Sequence, residues 1–275
     1  YEGTCYIIDS TFLKWAGGKN WFVRHQFQRI PNQYNRYIDP FLGGGALLFY
    51  LEPPDAIVSD INQELITTYI AIQNEWQAVQ RNLRVHARHH SNEYYYHVRD
   101  MRPRTDATIA ARMIYLNRTC FNGIYRVNMQ GRFNVPIGTH NNVILPTDEF
   151  QRRSQILQNV QLNCNDFEQT IDLAQHNDLL FCDPPYAVLD EEHRFVGYTR
   201  NIFDWNDQIR LMNALIRARN RGVHIIMTNV NHERVRELYD NAGGFDIEEV
   251  TRYSSISGRR EGRQNYSELI ISANV

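Results

Sequence analysis

Lysine is almost missing from this sequence. Of 29 basic residues, all are Arg except Lys14 and Lys19. Cysteine is scarce as well: Cys5, Cys120, Cys164 and Cys182 are far apart and form no C-x-x-C pair. That spacing excludes a disulfide framework and a Cys-based zinc site, and points to reduced thiols inside a cell. No run approaches the roughly 18 apolar residues that a membrane span needs. The first residues lack the basic, apolar, small-residue order of a secretory signal, so the expected location is the cytoplasm. Repeats, low-complexity tracts and Gly/Ser linkers are absent. Net charge is close to absent too, at −2, which excludes a chain that is basic throughout.

The 275 residues, 43% hydrophobic and 22% charged, suit one large domain or one domain with an inserted lobe. The near-neutral total hides an asymmetry. Residues 81–132 hold ten Arg, no Lys and three acids, a net +7, with four His able to add to it. The rest of the chain carries −9. A strongly basic segment in an acidic chain suggests a polyanion partner; the alternative is an Arg-rich solvated helical face. The two lysines lie five residues apart in Phe12-Leu13-Lys14-Trp15-Ala16-Gly17-Gly18-Lys19. Lys is a compact point charge where Arg is a wide fork, so a narrow pocket for one cation is the natural reason to keep it there.

Pattern and punctuation predict strands at 37–39 and 56–60, with the Gly43-Gly44-Gly45 turn and a helix from Ala46 between them. Four helices follow, over 64–73, 75–89, 92–101 and 106–117. Residues 122–142 read as loops and a hairpin. Strand and helix then alternate: strands at 160–164, 178–182 and 223–228, helices at 204–219 and 232–241, and a final strand pair at 245–253 and 266–272. Parallel α/β units on both sides of a helical block mean one doubly wound α/β domain (1–62 and 147–275) with a helical lobe (63–146) inserted.

In such a sheet, ligands bind beyond the C-terminal ends of the strands. Asp39, Asp60 and Asp183 stand at strand ends, and Asp166 follows another. Acids there repel phosphate and suit hydroxyl or cationic groups. The Gly triplet allows a ligand to reach the backbone, or is a simple tight turn. Gly17-Gly18-Lys19 lacks the Ser/Thr of a P-loop, and no G-x-G-x-x-G is present. Asp183-Pro184-Pro185-Tyr186 is more specific. Proline donates no backbone hydrogen bond, so the Asp183 carboxylate and the Pro184 carbonyl remain as acceptors, with Tyr186 as a flat stacking surface. Two acceptors beside an aromatic face fit an exocyclic amino group on a planar base. His86-x-x-His89-His90 has no acid or Cys to complete a metal set and reads as solvated helix.

Lys14-Trp15-Ala16-Gly17-Gly18-Lys19, Asp39-Pro40-Phe41-x-Gly43-Gly44-Gly45, Ser59-Asp60-Ile61-Asn62, Phe133-Asn134-Val135-Pro136-x-Gly138 and Asp183-Pro184-Pro185-Tyr186 occur in that order. With these motifs the chain resembles, along nearly its whole length, the Dam-type (GATC) DNA adenine-N6 methyltransferases, including restriction-linked members. The resemblance implies a Rossmann-like class I methyltransferase sheet with a C-terminal antiparallel hairpin and a helical target-recognition lobe. It implies S-adenosyl-L-methionine as methyl donor and duplex DNA as substrate, with no metal, no membrane, and a monomer or weak dimer. By the same resemblance Trp15, Lys19, Asp60 and Asp183 contact the donor. Asp39, Phe41, Gly43 and Gly45 shape its methionine side, and Asp166 with Phe167 holds its adenine. For Trp15 the other reading is a core aromatic, and for Asp166 a helix N-cap.

The implied reaction is direct methyl transfer to an adenine amino nitrogen, polarised by Asp183 and Pro184 with the base against Tyr186. No covalent enzyme intermediate is needed, so Cys182 reads as a buried strand residue. A base inside a duplex must be flipped out. Phe121, where relatives often have Tyr, is the residue to fill the gap, with Asn122 beside it. Arg126 matches the family's base-reading Arg and Lys14 a position that reaches DNA. Ile124 and Pro136 suit a thymine methyl; Phe121 and Ile124 read alternatively as core packing. Arg118, Arg132, Arg259, Arg260 and Arg263 suit phosphates. A mobile loop is expected over 187–201. GATC is the expected site, and an RNA or protein amino-group methyltransferase on the same fold is the alternative.

Overall fold

The computed structural model describes residues 11–15, 17–128, 130–187, 203–253 and 265–275. Cys5, the expected phosphate contacts Arg259, Arg260 and Arg263, and the expected mobile loop 187–201 apart from Ala187 lie outside these residues. In chain order the described elements are α1 (Asn20–His25), β1 (Tyr37–Asp39), α2 (Ala46–Leu51), β2 (Ala56–Ser59), α3 (Gln63–His89), α4 (Asn92–Asp100), α5 (Asp106–Thr119), α6 (Phe150–Leu157), β3 (Val160–Asn163), α7 (Phe167–Asp172), β4 (Leu179–Cys182), α8 (Trp205–Asn220), β5 (His224–Val230), α9 (Glu233–Ala242), β6 (Asp246–Tyr253) and β7 (Asn265–Ala273).

The strands form one mixed sheet in the order β3-β2-β1-β4-β5-β7-β6. β1, β4 and β5 run parallel, while β7 lies antiparallel to both β5 and β6. β1, β2 and β4 are buried at every position, as expected for strands covered on both faces. β6, the edge, carries Asp246, Glu248 and Glu249, charges that discourage further strand pairing. This is the α/β sheet with an antiparallel C-terminal pair that the sequence predicts.

The helices begin where capping residues dictate. Side chains of Asn62, Ser91, Thr105 and Asp204 each accept from a first-turn amide of α3, α4, α5 and α8. The break expected between 73 and 75 is a kink inside α3, where Glu75 leaves helical geometry (φ −145°, ψ 38°). Glu75 then accepts from the Ala107 amide at 3.1 Å, satisfying one of the unpaired donors that open α5. Helices α1 and α6 have no such sequence signal. Glu149, which precedes α6, has φ 40° and makes no side-chain cap.

The chain groups into two compact units, Tyr1–His25 with Leu42–Ala56 and Asp60–Cys164, and Gln26–Phe41 with Ile57–Ser59 and Asn165–Val275. In the first unit Phe12, Phe49, Tyr69 and Phe150 pack ring against ring at 5.3–6.2 Å. Each buried ring contributes roughly 1.5–3 kcal/mol, and together they tie the N-terminal strap, α2 and α6 to α3. In the second unit, Ile38, Leu180, Leu215, Ile225, Met227 and Ile271 belong to one core.

Candidate active site

In the second unit, the parallel register sets Cys182 opposite Met227. Asp183 and Thr228 therefore come next on neighbouring strands, and the Thr228 hydroxyl donates to Asp183 Oδ1 at 2.9 Å. Thr228 is fully buried, so one carboxylate oxygen is held by the fold itself. Pro184 is buried; Asp183, Pro185 and Tyr186 are partly exposed. Burial, with Asp39 and Asp183 nearby, pushes the Cys182 thiol well above its ordinary value, which leaves it inert as a nucleophile.

Asp39, at the end of β1, is buried. Its Oδ2 accepts from the Tyr37 hydroxyl at 2.9 Å and its Oδ1 from the Phe41 amide at 3.0 Å, closing the Asp39-Pro40-Phe41 turn on itself. The Phe41 ring stacks on Phe167 (5.4 Å), and both rings meet Phe203. Asp166 is the N-cap of α7, its Oδ1 accepting from the Glu168 amide at 3.0 Å. The same oxygen accepts from Arg210 at 2.8 Å, whose guanidinium lies 4.8 Å from the Phe167 ring centre. Phe167 is thus buried backing, and Phe41 is the more exposed aromatic of the pair.

In the first unit, Asp60 Oδ2 accepts from the Gly43 amide at 3.0 Å and Oδ1 from the Asn62 amide at 2.9 Å. Burial raises the Asp60 pKa, opposed by the amides of Asn62, Gly43 and Ile61. Gly43 (φ +47°) has to be Gly: a Cβ would lie 2.7 Å from Trp15 Cδ1. A Cβ on Gly45 (φ +66°) would sit 2.9 Å from the Tyr69 hydroxyl, which donates to the Gly43 carbonyl at 3.0 Å. Trp15 stacks on Tyr125. Lys19 is only 4% exposed, and its Nζ donates to the Gly17 carbonyl at 3.0 Å.

The exposed groups of this unit lie on the segment after α5. Phe121 is 53% and Ile124 37% exposed, so neither is core packing. Asn122 stands in the left-handed region (φ 57°), exposed. Residues 120–137 form the expected hairpin, with bridges Cys120↔Ile137 and Val127↔Phe133. Phe133 and Val135 point in while Asn134 and Pro136 point out, the alternation of a strand. A Cβ on Gly138 would come 2.5 Å from the Cys120 carbonyl, so the hairpin closes only on glycine. Exposed Arg126 is aligned by Asn134, which accepts its Nε at 3.0 Å. Arg132 is exposed. Lys14 is exposed, its main chain clasped by Asn117 through two 2.8 Å hydrogen bonds, its stem against Gly123.

Residues 15–256 match the family described as D12 class N6 adenine-specific DNA methyltransferase. The chain belongs to this family. It is similar to the Type II methyltransferase M1.LlaDCHI of Lactococcus lactis subsp. cremoris (34% identity, 95% of this chain, 94% of the relative). It is also similar to the Type II methyltransferase M.MjaIII of Methanocaldococcus jannaschii (33%; 95% and 98%) and to the DNA adenine methylase of Haemophilus influenzae (31%; 94% and 92%). The enzyme is therefore a site-specific DNA adenine methyltransferase that uses S-adenosylmethionine, and the RNA or protein alternative falls away. Among the described residues no helix is long and apolar enough to cross a membrane.

Two expectations for this D12-class methyltransferase are corrected. Arg118 is not a phosphate contact. It is 4% exposed, on a face of α5 buried throughout, and its guanidinium donates to both oxygens of buried Asp148 and to the Val143 and Phe12 carbonyls. His86 is not solvated: it is buried against Tyr94, whose hydroxyl lies 2.9 Å from its Nδ1. Sequence reasoning also missed Thr228, and gave Asn117 and Tyr125, within the DNA-contact segment 117–128, no role of their own. Thr228 follows from strand register alone; the other two carry no local signal.

Proposed function

We propose that this D12-class enzyme methylates the N6 nitrogen of adenine in duplex GATC, after turning the base out of the stack. The observation that carries the reading is the Asp183 carboxylate, held by the Thr228 hydroxyl at 2.9 Å and followed by two prolines that offer no donor. When bound, S-adenosylmethionine supplies a methyl group activated on a positively charged sulfur. The residues fit that donor. Asp60 Oδ2 accepts the Gly43 amide and Oδ1 the Asn62 amide, and a carboxylate has about four acceptor sites, so a ribose hydroxyl can be taken as well. Trp15 lies on Gly43 without room for a Cβ there, and close against Gly44. Asp39 and Phe41, in a turn fixed by its own hydrogen bonds, are assigned to the methionine side and Asp166 with Phe167 to the adenine; buried Lys19 donates to the Gly17 carbonyl.

Asp183 and the Pro184 carbonyl accept the two N–H bonds of the target amino group. That draws its lone pair out of the ring and stabilises the positive charge that develops as the N–C bond forms. Tyr186 supports the base face. Phe121, exposed at a turn, fills the space that the base leaves, with Asn122 beside it. Arg126, its Nε already occupied by Asn134, presents its terminal nitrogens to a guanine edge, a contact that discriminates by ~1–3 kcal/mol. Ile124 and Pro136 contact a thymine methyl. Lys14 and Arg132 reach the DNA backbone, and position without specifying.

The experiment is digestion of plasmid treated with enzyme and S-adenosylmethionine by GATC cutters of opposite methylation sensitivity. Protection from the cutter blocked by adenine methylation supports the reading. Methyl incorporation without protection rejects GATC and leaves the chemistry standing.

A further inference from the structure

The strap that carries Trp15 and the hairpin that carries Arg126 are joined by a ring stack. The Tyr125 ring lies on Trp15 with centroids 5.4 Å and planes 25° apart, and meets Phe133 across the hairpin at 5.7 Å. Its hydroxyl donates to Glu64 Oε2 at 2.8 Å. The other Glu64 oxygen accepts from Arg112 at 2.8 Å, and buried Arg112 also donates to the Val98 and Arg99 carbonyls. Tyr125 is therefore fixed to α3 and α5 at its hydroxyl and to the strap at its ring. Its chain neighbours are Ile124 and Arg126, both exposed. Trp15 has little freedom on its glycine side, because a Cβ on Gly44 would already lie 3.2 Å from Trp15 Cβ. Closely packed rings do not yield independently, so a change in the Trp15 position is passed to Tyr125.

We propose that Tyr125 is a positioning residue that couples the methyl-donor site to the base-reading hairpin, so that donor binding and site-specific DNA binding strengthen one another through the Trp15–Tyr125 stack. This rests on the roles proposed above for Trp15 and Arg126. By linkage, the factor by which one ligand tightens the other is the same in both directions.

The test measures the dissociation constant of a GATC duplex for the full chain with and without saturating S-adenosylhomocysteine, and the reciprocal pair for S-adenosylhomocysteine. The native chain is expected to give a ratio of about fivefold or more, equal in both directions. Tyr125→Leu brings the ratio to about one, within about twofold. Tyr125→Phe keeps the stack, releases Glu64 and gives a value between the two. A purely structural role for Tyr125 would weaken both ligands and leave the ratio unchanged. That result, or a native ratio of one, overturns the proposal. If Tyr125→Leu does not fold, Tyr125→Met takes its place, because it removes the ring as well, and a native ratio there overturns the proposal. Trp15→Leu separates the two levels: it is expected to weaken S-adenosylhomocysteine by about tenfold, about one methyl-scale packing loss or more. If it does not, the donor-site assignment of Trp15 is what fails, and the coupling proposal fails with it. If it does while Tyr125→Leu keeps the ratio, only the proposal fails.

Discussion

At the end of β4, Asp183 hangs from a strand buried at all four positions, with one oxygen held by a buried hydroxyl on β5. Past α5, by contrast, Phe121, Asn122 and Arg126 stand exposed on a hairpin with two isolated bridges. The first region holds its chemistry by ladder register and proline, and few of its atoms can shift without disturbing the core. The second holds the residues proposed to read DNA by single side-chain bonds such as Asn134 to Arg126. Methyl transfer needs fixed acceptors for a charge that develops at one atom. Reading DNA needs groups that reach outward, and their loss costs discrimination more than chemistry.

Four experiments sharpen or break that comparison. The largest effect is expected at Arg118, where Arg118→Ala leaves Asp148 buried and unpaired. It should destabilise the protein by about 3–5 kcal/mol, seen as an early thermal transition, while the salt dependence of DNA binding by the remaining folded chain stays native. A weaker salt dependence with native stability would return Arg118 to the phosphate set. Next, Asp183→Ala should lower kcat by about 10²–10³-fold, the scale for one preorganised group at a developing charge. S-adenosylhomocysteine and DNA should still bind. Near-native turnover would remove Asp183 from the chemistry.

Arg126→Ala should cost about 1–3 kcal/mol of discrimination at one base pair, measured as the kcat/KM ratio for GATC against single-base variants, with little change in maximal rate. An equal loss on every sequence would make Arg126 a backbone contact. The smallest effect concerns pH. Burial, with Arg112 and His89 nearby, lowers the His86 pKa from the ordinary 6.5 to about 4. Between those values the unfolded chain binds a proton that the folded chain does not. The stability of the folded state is thus complete above about pH 6.5 and falls as pH drops toward 4. His86→Gln should flatten the denaturant midpoint across that window; an unaltered slope would assign the acid sensitivity elsewhere.

Much of the site is legible before folding because local chemistry demands particular residue types. Gly43 and Gly45 adopt positive φ, proline withholds a donor after Asp183, and Asp60 closes a strand end. Other features obey no local rule. Arg118 and Arg126 are the same residue type eight positions apart in one basic segment, yet one is buried on an ion pair and the other is exposed. Burial of α5 as a whole decides this, since its residues 107 and 110–119 are all buried, while Arg126 lies beyond its end. Helical periodicity cannot locate an outer face on a helix buried on every side.

Alternation of apolar runs, caps and turn residues was enough to place the strands and most helices, because backbone preferences and burial patterns act over a few residues. The acceptors proposed at Asp183 and Pro184 are likewise written in four consecutive positions. Only the folded chain decided that Thr228 holds Asp183, that Tyr125 lies on Trp15, and that Arg118 serves the interior. Those pairings join residues 30–110 positions apart, where contact depends on register and packing and not on neighbours in the chain.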